Sequence, residues 1–281
     1  RQTPAAVSAQ DPAPQALLVI DSRSDDGSDE LALAAGAELI RIERREFNHG
    51  LTRMVGARRA QTDLVAFLSQ DAVPQPGCFG ALARAFGDPA VAGATARILP
   101  YDDSRPLTAR TVLASRMAGN SPMVCRLGST RFDDLALPVR RSLCLFDNVA
   151  SMVRRDVLLA APFPATMMGE DAMFAEQALR AGHKLVFVPD AVVKHAHEYG
   201  PLSAFRRYAA DARWLRRQHG LCVRPSVISV LRGIVYEMRE DRRYLRSHRP
   251  SCALREMLRS PLLRAGQVLG QWWGSHVGSA R

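Results

Sequence analysis

The acidic and imidazole side chains between residues 168 and 197 have the types and spacing that proton transfer and metal binding require. Glu170 and Asp171 stand side by side at the start of a helix-like segment, and His195 and His197 follow a strand-like segment. One helix and one strand make a crossover, which returns the histidines towards the carboxylates. The pattern therefore predicts a base and a metal ligand within one such unit.

A third carboxylate, Asp71, follows the apolar run 64–68. Open α/β sheets bind ligands at the C-terminal ends of their strands, so Asp71 is a candidate metal ligand. An aspartate there also suits a simple turn after a strand. Residues two apart on a strand share a face, so both histidine side chains would point into the same site. The alternative is one buried and one solvated histidine, and we favour a functional role for His197.

The segments that must position these residues alternate between strand-like and helix-like patterns. Strands are predicted at 16–20, 38–42, 64–68, 91–99, 184–188 and 191–194, and helices at 29–35, 51–60, 78–86 and 170–181. This alternation predicts an α/β layer architecture. Residues 100–141 are irregular and predict loops with one short helix, of the kind that cover binding sites. Arg-rich helices are predicted at 202–218, 226–246 and 252–268.

Composition and charge divide the chain into three parts. Residues 1–15, rich in Ala, Pro and Gln, predict an irregular N-terminal remnant, residues 16–200 a catalytic domain, and residues 201–281 a basic helical extension. The formal charge is −1 over residues 1–200 and +11 over residues 201–281, which contain 16 arginines and five acidic residues. The net charge of +10 therefore belongs to the extension.

A basic extension suits nucleic acid, anionic lipid or a phosphorylated glycan carrier. Aromatic residues are not interleaved with the arginines as in nucleic-acid-binding motifs, so we expect no nucleic acid partner. Trp214, Trp272 and Trp273 favour peripheral contact with an anionic membrane, because indoles prefer the headgroup boundary. Packing of these rings against the catalytic domain is an equal alternative.

Five scattered cysteines without a Cys-x-x-Cys pair predict neither a disulfide framework nor a zinc site, which suits a reducing, cytoplasmic location. No apolar run approaches the ~20 residues that span a bilayer. An association with the inner face of the cell membrane would then be peripheral.

Five short motifs occur in an order that resembles one enzyme family. They are Val19-Ile20-Asp21-Ser22 with Asp25-Asp26-Gly27, Phe47-Asn48-His49-Gly50, Phe67-Leu68-Ser69-Gln70-Asp71-Ala72, Gly169-Glu170-Asp171 and His195-Ala196-His197. Together they resemble the inverting family-2 glycosyltransferases of GT-A fold, and most closely bacterial rhamnosyltransferases that use dTDP-L-rhamnose. The resemblance implies a mixed, mostly parallel sheet flanked by helices, followed by a C-terminal helical extension.

The resemblance also implies roles for individual residues. Asp171 would be the catalytic base and Glu170 would orient the acceptor, although both also suit the helix dipole alone. Asp71 and His197 would hold Mg²⁺ or Mn²⁺, with His195 a less favoured ligand. The nucleotide-sugar donor would be bound by Asp21, Asn48, Gly50, Arg53, Gln70 and Asp71. Arg53 equally suits a solvated helix position. The acceptor would be a glycan or a lipid-linked sugar in surface polysaccharide assembly.

The sequence departs from the family pattern at three places, and two of these departures, the single carboxylate and the missing first strand, support an alternative function. Gln70-Asp71-Ala72 offers one carboxylate where the family usually has two aspartates, and Met54 stands where an asparagine is frequent. No strand-like segment precedes Ala16, so we expect the first strand of the family fold to be missing from this sequence. The alternative is a catalytically impaired module that binds nucleotide-sugars or acts as a scaffold.

Overall fold

A computed structural model describes residues 3–277 of the chain. The chain divides into two compact units. The α/β unit comprises the described residues up to Leu99 together with Ser115–His195. The helical unit comprises Pro100–Ala114 and the described residues from Ala196 onward.

The α/β unit contains the strands and most of the shorter helices. Its described strands are Leu18–Asp21 (β1), Glu38–Arg41 (β2), Leu64–Leu68 (β3), Val73–Pro74 (β4), Val91–Leu99 (β5), Met123–Cys125 (β6), Ala150–Arg154 (β7) and Lys184–Lys194 (β8). Its described α-helices are Thr3–Ser8 (α1), Ser28–Ala34 (α2), His49–Arg59 (α3), Cys78–Arg84 (α4), Leu137–Leu143 (α6), Arg155–Ala160 (α7) and Glu170–Arg180 (α8). The helical unit is made of Pro106–Leu113 (α5), Pro201–His219 (α9), Val227–His248 (α10) and Ala253–His276 (α11).

Six strands form one mixed sheet in the order β3-β7-β5-β8-β4, with β6 also paired to β8. Strand β7 runs antiparallel to both β3 and β5, while β5 and β8 are parallel. Strands β3, β5 and β8 therefore end at the same edge of the sheet, and β7 begins there. This edge is where α/β sheets bind ligands.

The mixed sheet flanked by helices confirms the predicted fold class, with two differences. Antiparallel pairs outnumber parallel ones in the described residues, because β7 inserts between β3 and β5 and because β4 and β6 both pair antiparallel to β8. Strands β1 and β2 form a separate parallel pair, and no ladder joins them to β3 in residues 3–277.

The main core lies between the sheet and α3, α7 and α8. Its buried side chains include Met54, Phe67, Val153, Phe163, Phe174 and Leu185. Phe163 packs edge-on against both Phe67 and Phe174, with ring centroids 5.3 and 5.4 Å apart, which fixes the start of α8 relative to β3. Edge-to-face packing of this kind adds to the burial of the rings themselves.

In the helical unit, α9 and α11 pack backbone against backbone. A Cβ atom placed on Gly266, Gly270 or Gly274 would come within 2.2, 2.4 or 2.1 Å of a carbonyl oxygen of α9. Glycine at every fourth position thus gives α11 a smooth edge that α9 contacts directly. On another side of α11, the buried Arg264 guanidinium donates to both oxygens of the buried Asp241 on α10, at 2.7 and 2.9 Å.

Several segments differ from their predicted extents. Thr3–Ser8 forms a helix where an irregular segment is predicted, and Val7 is buried. Helix α11 continues through Pro261 to His276, beyond its predicted end at 268. The segment 100–114 contributes α5 to the helical unit, not a loop to the α/β unit. Within residues 3–277, no helix has both the length and the apolar character that crossing a bilayer requires.

Candidate active site

Asp71 lies in the turn after β3, at the edge where the parallel strands end. Its Oδ1 is 3.3 Å from Nε2 of His195, the first residue after β8. The backbone N–H of His195 donates to the carbonyl of Leu99 at 2.8 Å, which extends the β5–β8 ladder and fixes the histidine's position. The sheet topology therefore brings a carboxylate and an imidazole together across about 120 residues of sequence.

The sequence favours His197 over His195 as a ligand, and the structure places His195 against Asp71. His197 belongs to the helical unit, where its ring centroid is 5.7 Å from that of Tyr199. Only Ala196 separates the two histidines, so their Cα atoms are at most about 7 Å apart. A ligand role for His197 stays a prediction, and the geometry adds His195 as a second candidate.

The chemistry of these side chains bears on which cation would fit. Carboxylate oxygen suits Mg²⁺ and Mn²⁺ alike, whereas imidazole nitrogen is a ligand for transition-metal cations. One aspartate with one or two histidines is therefore a set of side chains that fits a divalent cation.

Glu170 and Asp171 open helix α8, as predicted. Gly169 precedes them with φ 77°, a left-handed conformation that glycine adopts without a steric penalty. The Glu170 side chain is buried, and its Oε1 accepts hydrogen bonds from Arg53 Nη1 at 2.6 Å and from Asn148 Nδ2 at 3.3 Å. Glu170 is therefore a paired, immobilised carboxylate.

Asp171 is held by backbone amides. Its Oδ1 accepts from the N–H of Ala172 at 2.7 Å and its Oδ2 from the N–H of Asn148 at 3.4 Å. Burial raises the pKa of Asp171 to about 7, with further contributions from the carboxylates of Asp147 and Glu170. The two N–H donors lower the pKa, but they do not offset burial. Desolvation therefore outweighs the preference of a helix N-terminus for the charged form of the carboxylate.

Asp147 and Asn148 belong to the same cluster and are not identified from the sequence. Burial raises the pKa of Asp147, while the Val149 N–H, His195 and Arg53 act in the opposite direction. The Asn148 amide is buried and bridges two side chains, because Ser151 Oγ donates to its Oδ1 at 2.7 Å while its Nδ2 donates to Glu170. The signal that points to this pair is its place immediately before β7, which begins at the edge where β3 ends.

The residues predicted to bind the donor make local structural contacts. Both carboxylate oxygens of Asp21, at the end of β1, accept from the N–H of Ser24, at 3.2 and 3.1 Å. Asn48 caps α3 by accepting from the Leu51 N–H at 3.1 Å. Gln70 is exposed beside Asp71. Contact of these residues with a donor stays a prediction.

Gly50 and Arg53 join α3 to the segment that leads into α8. A Cβ atom on Gly50 would lie 1.8 Å from the carbonyl oxygen of Pro164, and the Gly50 N–H donates to the carbonyl of Thr166 at 3.3 Å. Three residues later Arg53 pairs with Glu170. Arg53 is therefore not a solvated helix residue, and its contact with a phosphate stays a prediction.

Comparison with known families decides the class of this site. Residues 1–158 match the model of the family described as Glycosyl transferase family 2. The chain belongs to this family. The match ends before α8, so the roles of Glu170 and Asp171 in this family-2 glycosyltransferase are argued from their geometry.

Two curated relatives come from the synthesis of O-antigen. The chain is 31% identical over 218 residues to the O-antigen chain rhamnosyltransferase RfbN of Salmonella typhimurium, covering 74% of this chain and 67% of RfbN. It is 30% identical over 217 residues to the O-antigen chain rhamnosyltransferase WbaN of Salmonella anatum, covering 74% of this chain and 66% of WbaN. The chain thus spans about two thirds of the length of each relative.

Solved structures support the fold. The mannosyltransferase PcManGT from Pyrobaculum calidifontis, solved with GDP-Man and Mn²⁺, aligns with a TM-score of 0.51 at 15% identity, over 95% of this chain and 81% of that one. The S. aureus TarS 1-349 structure aligns with a TM-score of 0.50 at 11% identity, over 95% and 85% of the two chains. At these identities the likeness concerns the fold alone, which is that of the GT-A glycosyltransferases.

Proposed function

We propose that this glycosyltransferase transfers a sugar, with L-rhamnose from dTDP-L-rhamnose as the first choice, to a glycan or lipid-linked acceptor and inverts the anomeric carbon. The observation that carries the proposal is Asp171, a half-buried carboxylate at the start of α8 whose pKa is raised to about 7. A base with a pKa near the working pH accepts a proton efficiently and still exists partly ionised. The rhamnosyltransferase relatives support the choice of sugar.

In the proposed step, an acceptor hydroxyl oxygen attacks the anomeric carbon of the donor from the side opposite the diphosphate. The new C–O bond forms as the bond between that carbon and the diphosphate oxygen breaks, and the bonding pair leaves with the diphosphate. The hydroxyl proton passes to an oxygen of Asp171. Holding base, acceptor and donor in line supplies much of the rate enhancement in such a displacement.

Asp71 and His195, with His197 next along the chain, would hold a divalent cation. When bound, the cation neutralises charge that develops on the leaving diphosphate. The chain's own contribution is to orient the other groups. Arg53 and Asn148 fix Glu170, and the Asn148 N–H fixes Asp171.

The decisive experiment compares wild type with Asp171→Asn, using product mass to score transfer from dTDP-L-rhamnose, UDP-glucose and GDP-mannose. We expect Asp171→Asn to lower kcat by about 10²–10⁴-fold with little change in donor affinity, because the base is lost and the shape is kept. Asp133→Asn, at an exposed carboxylate in the same unit, is the matched control and keeps full activity. Undiminished transfer by Asp171→Asn would refute the assignment.

A donor screen separates the proposal from the alternative of a binding or scaffold module. Transfer of rhamnose supports the proposal. Calorimetric binding of dTDP that requires a divalent cation, without turnover on any acceptor, favours the module. We further propose that the acceptor is presented at the cytoplasmic face of a membrane, where this enzyme would bind peripherally.

A further inference from the structure

The outer side of helix α11 is an apolar ridge that no other element covers among the described residues of its unit. Leu254, Leu258 and Leu262 are 71%, 73% and 67% exposed, and Leu269 and Trp273 continue the row at 43% and 42%. Spacings of four and seven residues keep these side chains on one helical stripe. From Leu254 to Trp273 the stripe is about 28 Å long, at 1.5 Å per residue.

The other sides of α11 are already occupied. Gly266, Gly270 and Gly274 lie against the backbone of α9. Arg264, the single Lys or Arg between Ser260 and Val277, is buried against Asp241 of α10. The leucines of the ridge therefore lie on a side of α11 that neither the glycines nor Arg264 occupy, while Trp273 at its end also lies against Phe205 of α9, with ring centroids 6.3 Å apart. The ridge carries no charge along its C-terminal half.

Helix α10 continues this surface. Val227, Ile228, Leu231 and Val235 are exposed on its first half, and Arg239, Arg242 and Arg246 are exposed on its second half. The two helices are antiparallel, because Arg224 bonds to Gln271 and Asp241 bonds to Arg264. The aliphatic half of α10 thus lies level with Leu269 and Trp273, and the arginines lie level with Leu254 and Leu258.

We propose that this combined surface, the α10–α11 face, docks onto an anionic lipid surface. Leucine and tryptophan side chains would enter the boundary between headgroups and acyl chains, while the arginines meet lipid phosphates. This proposal assigns the peripheral membrane binding, suggested above with the proposed function, to one surface of the protein. It rests on the proposed function only for the role that docking would serve.

The charge of the α10–α11 face favours an anionic lipid surface over a second copy of the chain as its partner. Residues 201–281 carry a formal charge of +11, so two copies joined through this face would bring arginines against arginines. Nucleic acid would match the charge but would leave the leucine ridge exposed to water. An anionic bilayer matches the charge and buries the leucines.

The test is sedimentation of the full chain with vesicles of phosphatidylcholine and phosphatidylglycerol at 3:1, compared with pure phosphatidylcholine. The ridge variant Leu254→Gln/Leu258→Gln/Leu262→Gln is expected to bind anionic vesicles at least tenfold more weakly. The charge variant Arg239→Gln/Arg242→Gln/Arg246→Gln is expected to lose the preference for anionic over neutral vesicles.

The control replaces three exposed leucines of the α/β unit, Leu31→Gln/Leu33→Gln/Leu159→Gln, and should bind like wild type. Unchanged melting temperatures show that all variants are folded. Absence of wild-type binding, equal weakening of the control, or a concentration-dependent dimer that the ridge variant dissociates would each overturn the proposal. Asp171→Asn should bind vesicles normally, so failure of docking and failure of the proposed catalysis are read separately.

Discussion

At the scale of single residues, the site is governed by carboxylates that the fold buries close together. Asp171 has its pKa raised to about 7 by burial and by the nearby Asp147 and Glu170. Because the folded pKa lies above the unfolded value of about 3.9, ionisation of Asp171 costs stability as pH rises from about 4 to about 7, and the full cost is present above that range. The same rise in pH produces the ionised base that the proposed reaction needs.

We therefore expect kcat/KM to increase with pH through an apparent pKa near 7 and then level off. Asp171→Asn, which cannot ionise, should gain in melting temperature relative to wild type as pH rises from about 4 to about 7, and it should melt a few degrees higher at pH 8. Rate profiles over pH 5–9 and thermal melts over pH 4–8 check both parts. A wild-type profile that is flat between pH 6 and 8 would contradict the assignment of Asp171 as base.

Arg53 offers a second test, because its guanidinium pairs with the buried carboxylate of Glu170. Removing the guanidinium leaves Glu170 buried without its partner, so Arg53→Gln is expected to destabilise the protein by about 2–4 kcal/mol. Arg53→Gln/Glu170→Gln should recover most of this loss, as urea unfolding would measure. Arg59→Gln, which breaks an exposed pair with Glu38, is the control and should cost under about 1 kcal/mol. If the double variant is no more stable than Arg53→Gln, the pair does not act as described.

Sequence patterns identify residues whose position depends on one element, and they fail where two elements must be aligned. Asp71 and Asp171 follow from a strand end and a helix start. Asp147 follows from neither, because it joins the site only when β7 pairs antiparallel with β3. The position of His195 against Asp71 likewise depends on the register between β5 and β8, which no local pattern contains.

At the scale of elements, the most demanding contact is the packing of α9 against α11. Gly270→Leu would force a side chain into the space held by the Phe205 carbonyl, which lies 2.4 Å from an ideal Cβ. Separation of the two backbones should cost at least about 1–3 kcal/mol. Chemical denaturation checks this value, and Gly87→Ala is the control, since a Cβ there meets nothing within 4 Å. Equal stabilities of Gly270→Leu and Gly87→Ala would contradict the packing.

Most helices and strands are predictable because each periodic apolar segment ends where residues that break helices or strands begin. Strands β3 and β5 have their predicted bounds, and α8 stops one residue early, at Arg180. Helix α11 extends beyond its predicted end at residue 268 because Gly270 and Gly274 argue locally against a helix, whereas the close contact with the backbone of α9 requires glycine at both positions. Tertiary contact overrides propensity there.

At the scale of the whole molecule, the helical unit is not a simple C-terminal addition. Its helix α5 comes from residues 106–113, far upstream of the other three helices. Leu107 is fully buried in the core of this unit, and Arg110 forms ion pairs with Glu237 and Asp241. The predicted boundary at residue 200 therefore separates α5 from the helices that bury it.

We expect a fragment of residues 1–200 to aggregate, because truncation exposes the apolar side of α5. Replacing residues 100–114 of that fragment with a short Gly/Ser linker should restore solubility. Size-exclusion chromatography and circular dichroism of the two fragments provide the measurement. A monomeric fragment 1–200 with a cooperative melt would show that α5 does not depend on the C-terminal helices.

The contacts of Gly50 have a consequence for engineering the specificity of this enzyme. Any side chain at position 50 would collide with the Pro164 carbonyl and displace the loop that carries the chain into Asp171. Together with the Arg53–Glu170 pair one turn later, this contact connects α3 to the loop before α8 and to α8 itself. Mutational libraries that include Gly50 or Arg53 would therefore be dominated by inactive clones. Donor preference is better varied at Gln70, which is exposed beside Asp71 and takes no part in that connection.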